Sequence, residues 1–375
     1  MLKIRVPFFG DVRRYHNLKD EMDAVINQVY SDANFSICNN VKWLEGRLGR
    51  YTRMKYVISL DSFVDAIGIA LGAVGVTPGD EVITTLNPFS SVAEAICFID
   101  AIPVFVDCEP DTWTMDPALI EEKITPKTKA IVVTHTYGHV ADMVAIAQVA
   151  KKHNLPIVED GSQALGAYCG LLRVGELSDV VVASSTYIKN IGISGDCGVM
   201  LTNNYDINQF GLVKREKGGL KYSVEARNRL ELTVALFHRI HVRHFTEWDD
   251  LCIVHANKYS ESLADTNIKL PHVHPGYRHI FRLYVIETPE RDDLKRFLKE
   301  RGIITLSGYS RDILVQESLL SDSMKTSLNL PVTRKHAAQC LALPIYPELT
   351  SEDIEFVADA IKEWATKHAP VAAKC

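Results

Sequence analysis

The chain has 375 residues, with 41 lysines and arginines against 47 aspartates and glutamates, for a formal net charge of −6. That balance excludes a basic nucleic-acid footprint and a polybasic membrane surface. With 47% hydrophobic residues the chain suits a globular protein of one large domain or two; no apolar run has the length of a spanning helix, and Met1–Pro7 lacks a signal core.

In chain order, Leu18, Met22, Val25, Ile26 and Val29 predict a helix within 18–35, and a second follows at Val41–Leu48. Val57–Leu60 reads as a short strand, and Asp61-Ser62-Phe63-Val64 opens a helix whose apolar face carries Ile67, Ala70, Leu71 and Val74. Pro78-Gly79-Asp80 turns into the strand Glu81–Thr85. A helix at Ser91–Ile99, a strand at Pro103–Asp107, a helix at Pro117–Lys123 and a strand at Ala130–Thr134 come next. Met143–Asn154 is helical, and Leu155–Asp160 and Asp179–Ala183 are apolar strands. This alternation predicts an α/β fold, a mostly parallel sheet covered on both faces, with ligands gathering at the carboxyl ends of the strands.

After residue 200 the pattern changes to helices over 225–265, a strand at Phe281–Ile286, a helix at 290–301, a strand near Ile303–Thr305 and a last helix at Ser351–Lys367. We expect a large domain over 1–250, including an N-terminal arm, and a smaller α+β domain over 251–375. The eight cysteines contain no Cys-x-x-Cys pair, which points to reduced thiols in a cytoplasm. His238, His241 and His244 share a helical stretch with Arg239 and Arg243; a solvated basic face is expected there, and no metal site.

Three strand ends carry chemistry. Lys189, in Ser184-Ser185-Thr186-Tyr187-Ile188-Lys189-Asn190-Ile191-Gly192, lies just past an apolar strand, where a desolvated amine forms a Schiff base with a carbonyl. Asp160 closes another strand and is followed by Gly161-Ser162-Gln163; a carboxylate there keeps a pyridine nitrogen protonated, which makes a pyridoxal ring an electron sink. Ser184, with nearby backbone N–H groups, suits a phosphate, and Phe89 after the strand Glu81–Thr85 suits stacking on the ring.

The sequence resembles the DegT/DnrJ/StrS family of pyridoxal-phosphate (sugar) aminotransferases over nearly its whole length. The resemblance rests on Pro78-Gly79-Asp80-Glu81-Val82-Ile83-Thr84, Ile124-Thr125-Pro126-Lys127-Thr128-Lys129 and His135-Thr136-Tyr137-Gly138. It continues through Glu159-Asp160-Gly161-Ser162-Gln163-Ala164, Lys189-Asn190-Ile191-Gly192, Gly195-Asp196-Cys197-Gly198 and Leu343-Pro344-Ile345-Tyr346-Pro347. It implies fold type I and a pyridoxal 5′-phosphate cofactor that passes through the pyridoxamine form. The implied reaction carries an amino group from glutamate or glutamine to a keto sugar attached to a nucleotide. It also implies a homodimer with a shared active site.

By position, Lys189 is the implied Schiff-base lysine, Asp160 the partner of the ring nitrogen, Gln163 the neighbour of the ring hydroxyl, Ser184 a phosphate contact and Phe89 the stacking aromatic. Phe63-Val64 stands where the family has a small residue and threonine against the phosphate, and Arg227 where it supplies an asparagine to the partner's phosphate site. Arg282 and Gly308-Tyr309-Ser310-Arg311 replace the family's histidine and its His-Tyr-Pro run. Two other readings keep the fold: a partner subunit without turnover, and another reaction of the same cofactor on a non-sugar substrate.

Overall fold

The computed structural model describes residues 4–31, 37–86, 91–184, 197–217, 230, 232–307 and 328–368. Helices α1 (Asp11–Ser31) and α2 (Ile37–Thr52) lead into β1 (Tyr56–Leu60), α3 (Phe63–Ala73), β2 (Glu81–Thr85), α4 (Val92–Phe98) and β3 (Ile102–Val106). Then come β4 (Thr128–Thr134), α5 (Met143–His153), β5 (Ile157–Asp160), the short β6 (Tyr168–Cys169) and β7 (Leu172–Arg173), and β8 (Val180–Ser184). They are followed by β9 (Gly198–Thr202), α6 (Tyr205–Lys217), α7 (Leu232–Leu263), β10 (Tyr277–Arg278) and β11 (Tyr284–Glu287). The described chain closes with α8 (Arg291–Glu300), α9 (Pro331–Gln339), β12 (Cys340–Leu343) and α10 (Ser351–Lys367).

Seven strands form the main sheet in the order β1-β9-β8-β5-β4-β2-β3. The pairs β8–β5, β5–β4, β4–β2 and β2–β3 are parallel, and β9 runs antiparallel to both of its neighbours. Side chains alternate across a strand. Ile58, Val82, Val132, Val158, Val182 and Met200 therefore pack on one face with α3 and α4, while Ile83, Val133, Ile157, Val181 and Val199 pack on the other with α2, α5 and α7. Each such Val or Ile contributes roughly 1.5–3 kcal/mol by burial. Burial on both faces is why these strands read as continuous apolar runs. A second core joins Ala256, Tyr259 and Leu263 of α7 to β11, β12, α8 and α10. One long helix thus serves both cores. Among the described residues no helix is long and apolar enough to cross a membrane.

Three local expectations are corrected. Pro117–Lys123 is not an α-helix but two 3-10 turns, Pro117–Leu119 and Glu121–Lys123, the first capped by Asp116 accepting from Ala118 N. Ile303–Thr305 forms no ladder: Ile303 bridges Val6 and Leu306 bridges Ala342. The strand expected from Phe281 begins at Tyr284, because Phe281 has φ +45°. The segments Ile102–Val106, Thr128–Thr134 and Ser351–Lys367 agree with expectation to within two residues.

The histidine face of α7 is a further correction. His238 and His241 are buried, and only His244 is half-exposed. His238 Nδ1 donates to Val234 O one turn back, at 2.6 Å, and its Nε2 has no hydrogen-bond partner among the described residues. Burial pushes its pKa down to about 4 from an ordinary 6.5, and burial does the same to His139. A depressed folded value means that stability is intact above about pH 6.5 and is lost as the pH falls towards 4, because the unfolded chain takes up protons first. For one histidine the loss is at most about 3 kcal/mol. We expect the melting temperature to drop over that window and His238→Leu to flatten the drop. An equal decline in both proteins would contradict this assignment.

Candidate active site

Alternation along the strands decides which side chains meet at the carboxyl edge of the sheet. Asp160 lies on the same face of β5 as Val158, Ser184 on the same face of β8 as Val182, and Thr134 on the same face of β4 as Val132. All three end neighbouring parallel strands on the side that carries α3. They are buried, Asp160 being 1% exposed and Ser184 2%.

The turn after β5 joins them. Gly161 N donates to Val182 O at 2.8 Å. Ser162 N donates to Asp160 Oδ1 at 3.0 Å, and Ser162 Oγ accepts from Ser184 N at 2.9 Å. Ser162 is therefore the clamp that holds the carboxylate and the strand-end serine in register. Gln163 Oε1 accepts from Tyr137 N at 3.1 Å, which turns the Nε2 end of the amide the other way. That Nε2 is buried and has no partner among the described residues. A buried amide donor without an acceptor is costly, and a ligand oxygen removes the cost.

The opposite face of the same strand ends carries a pair that the sequence reading did not single out. His135 Nδ1 accepts from Ala141 N at 3.2 Å, so its Nε2–H donates to Glu159 Oε2 at 2.6 Å, both side chains being buried. Glu159 Oε1 accepts from Gly175 N at 3.0 Å. This pair ties the ends of β4 and β5 together beneath Asp160. His135 and Glu159 each stand in a motif visible in the sequence, His135-Thr136-Tyr137-Gly138 and Glu159-Asp160-Gly161, but that the two side chains pair is a fact of the fold.

The start of α3 borders the same edge. Ser62 Oγ caps the helix by accepting from Asp65 N at 3.1 Å, and it donates to Asp65 Oδ2 at 2.9 Å. Phe63 packs into the apolar layer beside Ile67 and Ala66, and Val64 packs against its margin. The first residue of β9 comes very close: a Cβ on Gly198 would lie 2.1 Å from Ser62 O, so only glycine fits there. Lys189, Phe89 and Arg227 lie outside the described residues, as does Gly308-Tyr309-Ser310-Arg311. The chain leaves this edge at Ser184 and returns to it at Cys197, and Ser184 pairs with Gly198 in the sheet.

A cleft of about 630 Å³ lined by Lys42, Glu45, Arg50, Arg53, Lys55 and Arg215 opens beside Tyr56. Tyr56 is the first residue of β1, at the opposite end of the sheet from Asp160. That cleft is not part of the site.

A buried carboxylate, a strand-end hydroxyl, an amide donor lacking an acceptor and a helix start on one sheet edge suit a pyridine ring bearing a hydroxyl and a phosphate. Comparison with known proteins identifies the family. The profile of the DegT/DnrJ/EryC1/StrS aminotransferase family matches residues 16–362. The chain is 36% identical to a pleiotropic regulatory protein of Geobacillus stearothermophilus, over 96% of this chain and 99% of that one. It is 33% identical to the dTDP-3-amino-3,4,6-trideoxy-alpha-D-glucose transaminase of Streptomyces venezuelae, over 97% of each. It superposes on the crystal structure of S. venezuelae DesV in complex with a ketimine intermediate with a TM-score of 0.88 and 33% identity, covering 97% of this chain and 99% of that one.

Proposed function

Because the chain belongs to the DegT/DnrJ/EryC1/StrS aminotransferase family, we propose that it passes an amino group from glutamate or glutamine to a keto sugar carried on a nucleotide, at the edge where Asp160, Gln163 and Ser184 converge. It is an aminotransferase and uses pyridoxal phosphate. The observation that carries the site assignment is the Asp160–Ser162–Ser184 clamp beside the Nε2 of Gln163, which has no partner among the described residues.

Bound there, pyridoxal phosphate would supply an electron sink for the reacting carbon. Asp160 would keep the ring nitrogen protonated, an effect that burial strengthens. Gln163 Nε2 would donate to the ring hydroxyl oxygen. Ser184 and the first N–H groups of α3, at Phe63 and Val64, would hold the phosphate. Asp65 adds a negative charge to that helix turn, and Arg227, at the position from which the family serves the partner's phosphate site, would offset it as a charged donor. Lys189 would hold the cofactor and would carry the proton to and from the reacting carbon. Phe89 would cover the ring face.

We place the large domain at 1–250 and the small one at 251–375; the division falls within α7, between the part that joins the sheet core and the part that joins the second core. The working unit is a homodimer with a shared site, in a reducing cytoplasm. The test supplies glutamate or glutamine with a panel of nucleotide-linked keto sugars and reads the amino sugar by mass. A new amino sugar matched by release of the keto acid is expected. Cofactor binding without transfer to any acceptor would instead favour the partner-subunit reading.

A further inference from the structure

We propose that His336, held by Glu287, is a positioning residue for this reaction: through Tyr137 it fixes which end of the Gln163 amide faces the cofactor. The inference rests on the site reading given above and deepens it. Glu287 of β11 and His336 of α9 belong to the C-terminal unit, whereas Tyr137 follows β4 at the sheet edge. Residues 137 and 336 are far apart in sequence, yet their side chains meet in a buried contact.

The direction of each hydrogen bond follows from the partners. His336 Nδ1 is 2.6 Å from Glu287 Oε1, and a carboxylate only accepts, so Nδ1 carries the proton. Burial lowers the pKa of His336 despite Glu287, which keeps the ring neutral and leaves Nε2 as an acceptor. Tyr137 Oη therefore donates to Nε2, at 2.6 Å. Glu287 is held below the ordinary carboxylate range: burial raises it, but His336 and Lys269 together outweigh that. Lys269 lies 3.4 Å from Glu287 Oε2, and the Trp113 ring stacks on His336 with centroids 4.3 Å apart. The imidazole is thus fixed in tautomer, tilt and position.

Tyr137 needs such a grip. It has φ +59°, a backbone conformation that is unfavourable for a residue with a large side chain and persists only where the surroundings over-determine it. Three contacts do so: its carbonyl accepts from Leu283 N at 3.2 Å, its hydroxyl meets His336, and its N–H points at Gln163 Oε1. Gly138 follows with φ +106°, and a Cβ there would meet the backbone nitrogens of Phe281 and Arg282 at 2.8 Å. The turn is wedged between the sheet edge and the C-terminal unit. With Tyr137 N–H fixed, Gln163 presents its donor end. If the turn relaxes, the amide is free to rotate and present its acceptor end, which repels a ring oxygen.

The test compares Tyr137→Phe, which removes one oxygen, with His336→Leu, His336→Gln and the Tyr137→Phe/His336→Leu double variant. Backbone hydrogen exchange over 136–140 in the cofactor-free protein should rise about tenfold in Tyr137→Phe and in His336→Leu. In the loaded protein kcat should fall about three- to tenfold, with the KM for the amino donor nearly unchanged. His336→Gln, which restores a side-chain hydrogen-bond partner, should recover most of both. The double variant should be no worse than the worse single one, as expected for two residues acting along one path. Unchanged exchange in Tyr137→Phe, or effects that add in the double variant, would overturn the proposal; should His336→Leu not fold, Tyr137→Phe alone decides. Gln163→Ala separates the two levels. If it leaves the affinity for pyridoxal phosphate unchanged, the site reading fails; if it weakens binding while exchange in Tyr137→Phe stays at the wild-type level, only the positioning role fails.

Discussion

Lys189→Ala should lose amino transfer by about 10³–10⁴-fold, the range expected when a group that both bonds and shuttles a proton is removed. A melting temperature close to that of the wild type is the control that separates loss of chemistry from loss of fold. It should still take up pyridoxal phosphate, because Asp160, Gln163 and Ser184 are untouched. Borohydride treatment separates covalent from non-covalent binding. In the wild type the label should sit on the peptide carrying Lys189, and in the variant there should be no label. A variant retaining more than a few per cent of the rate, or label on another lysine, would reassign the nucleophile.

Asp160→Asn should be the second most damaging change, lowering kcat by about 10²–10³-fold. The substitution is nearly isosteric, and the amide oxygen can still accept from Ser162 N, so the clamp to Ser184 survives. What disappears is the negative charge, and with it the reason for the ring nitrogen to stay protonated. At 1% exposure no water replaces that charge cheaply. A melting temperature close to the wild type, together with a collapsed kcat, would isolate the electrostatic role. A kcat within threefold of the wild type would show that Asp160 only caps the turn.

The parts of this fold that were legible share a physical cause. Strands β2 to β5 and β8 are buried on both faces, so they appear as unbroken apolar runs between helices, and the capped helix at Ser351–Lys367 announces itself with Thr350 and Asp353. Short elements were not legible. β12 and α9 are set by packing against β11 and by Asp107 accepting from Val332 N and Thr333 N, which no local pattern encodes. β9 is hidden in the sequence because its apolar run follows directly on the glycine motif at 195–198. The basic face expected on α7 failed because a period of three or four places His238 and His241 together without saying which side meets the core.

Of the residues proposed for the site, Asp160, Gln163 and Ser184 stand in motifs that the sequence shows. The Tyr137–His336–Glu287 contact could not, since its members are joined only by the way the C-terminal unit folds back on the sheet. Phe63 shows the opposite limit. Its place at the start of α3 was readable, but that its ring would sink into the apolar layer beside Ile67 is a fact of packing.

The most direct measurement is the visible absorbance of the purified protein loaded with pyridoxal phosphate, before and after addition of glutamate or glutamine. An amino donor should bleach the band as the pyridoxamine form accumulates, and a keto-sugar acceptor should restore it. A protein that takes up no cofactor, or whose band is indifferent to every amino donor, would contradict the account.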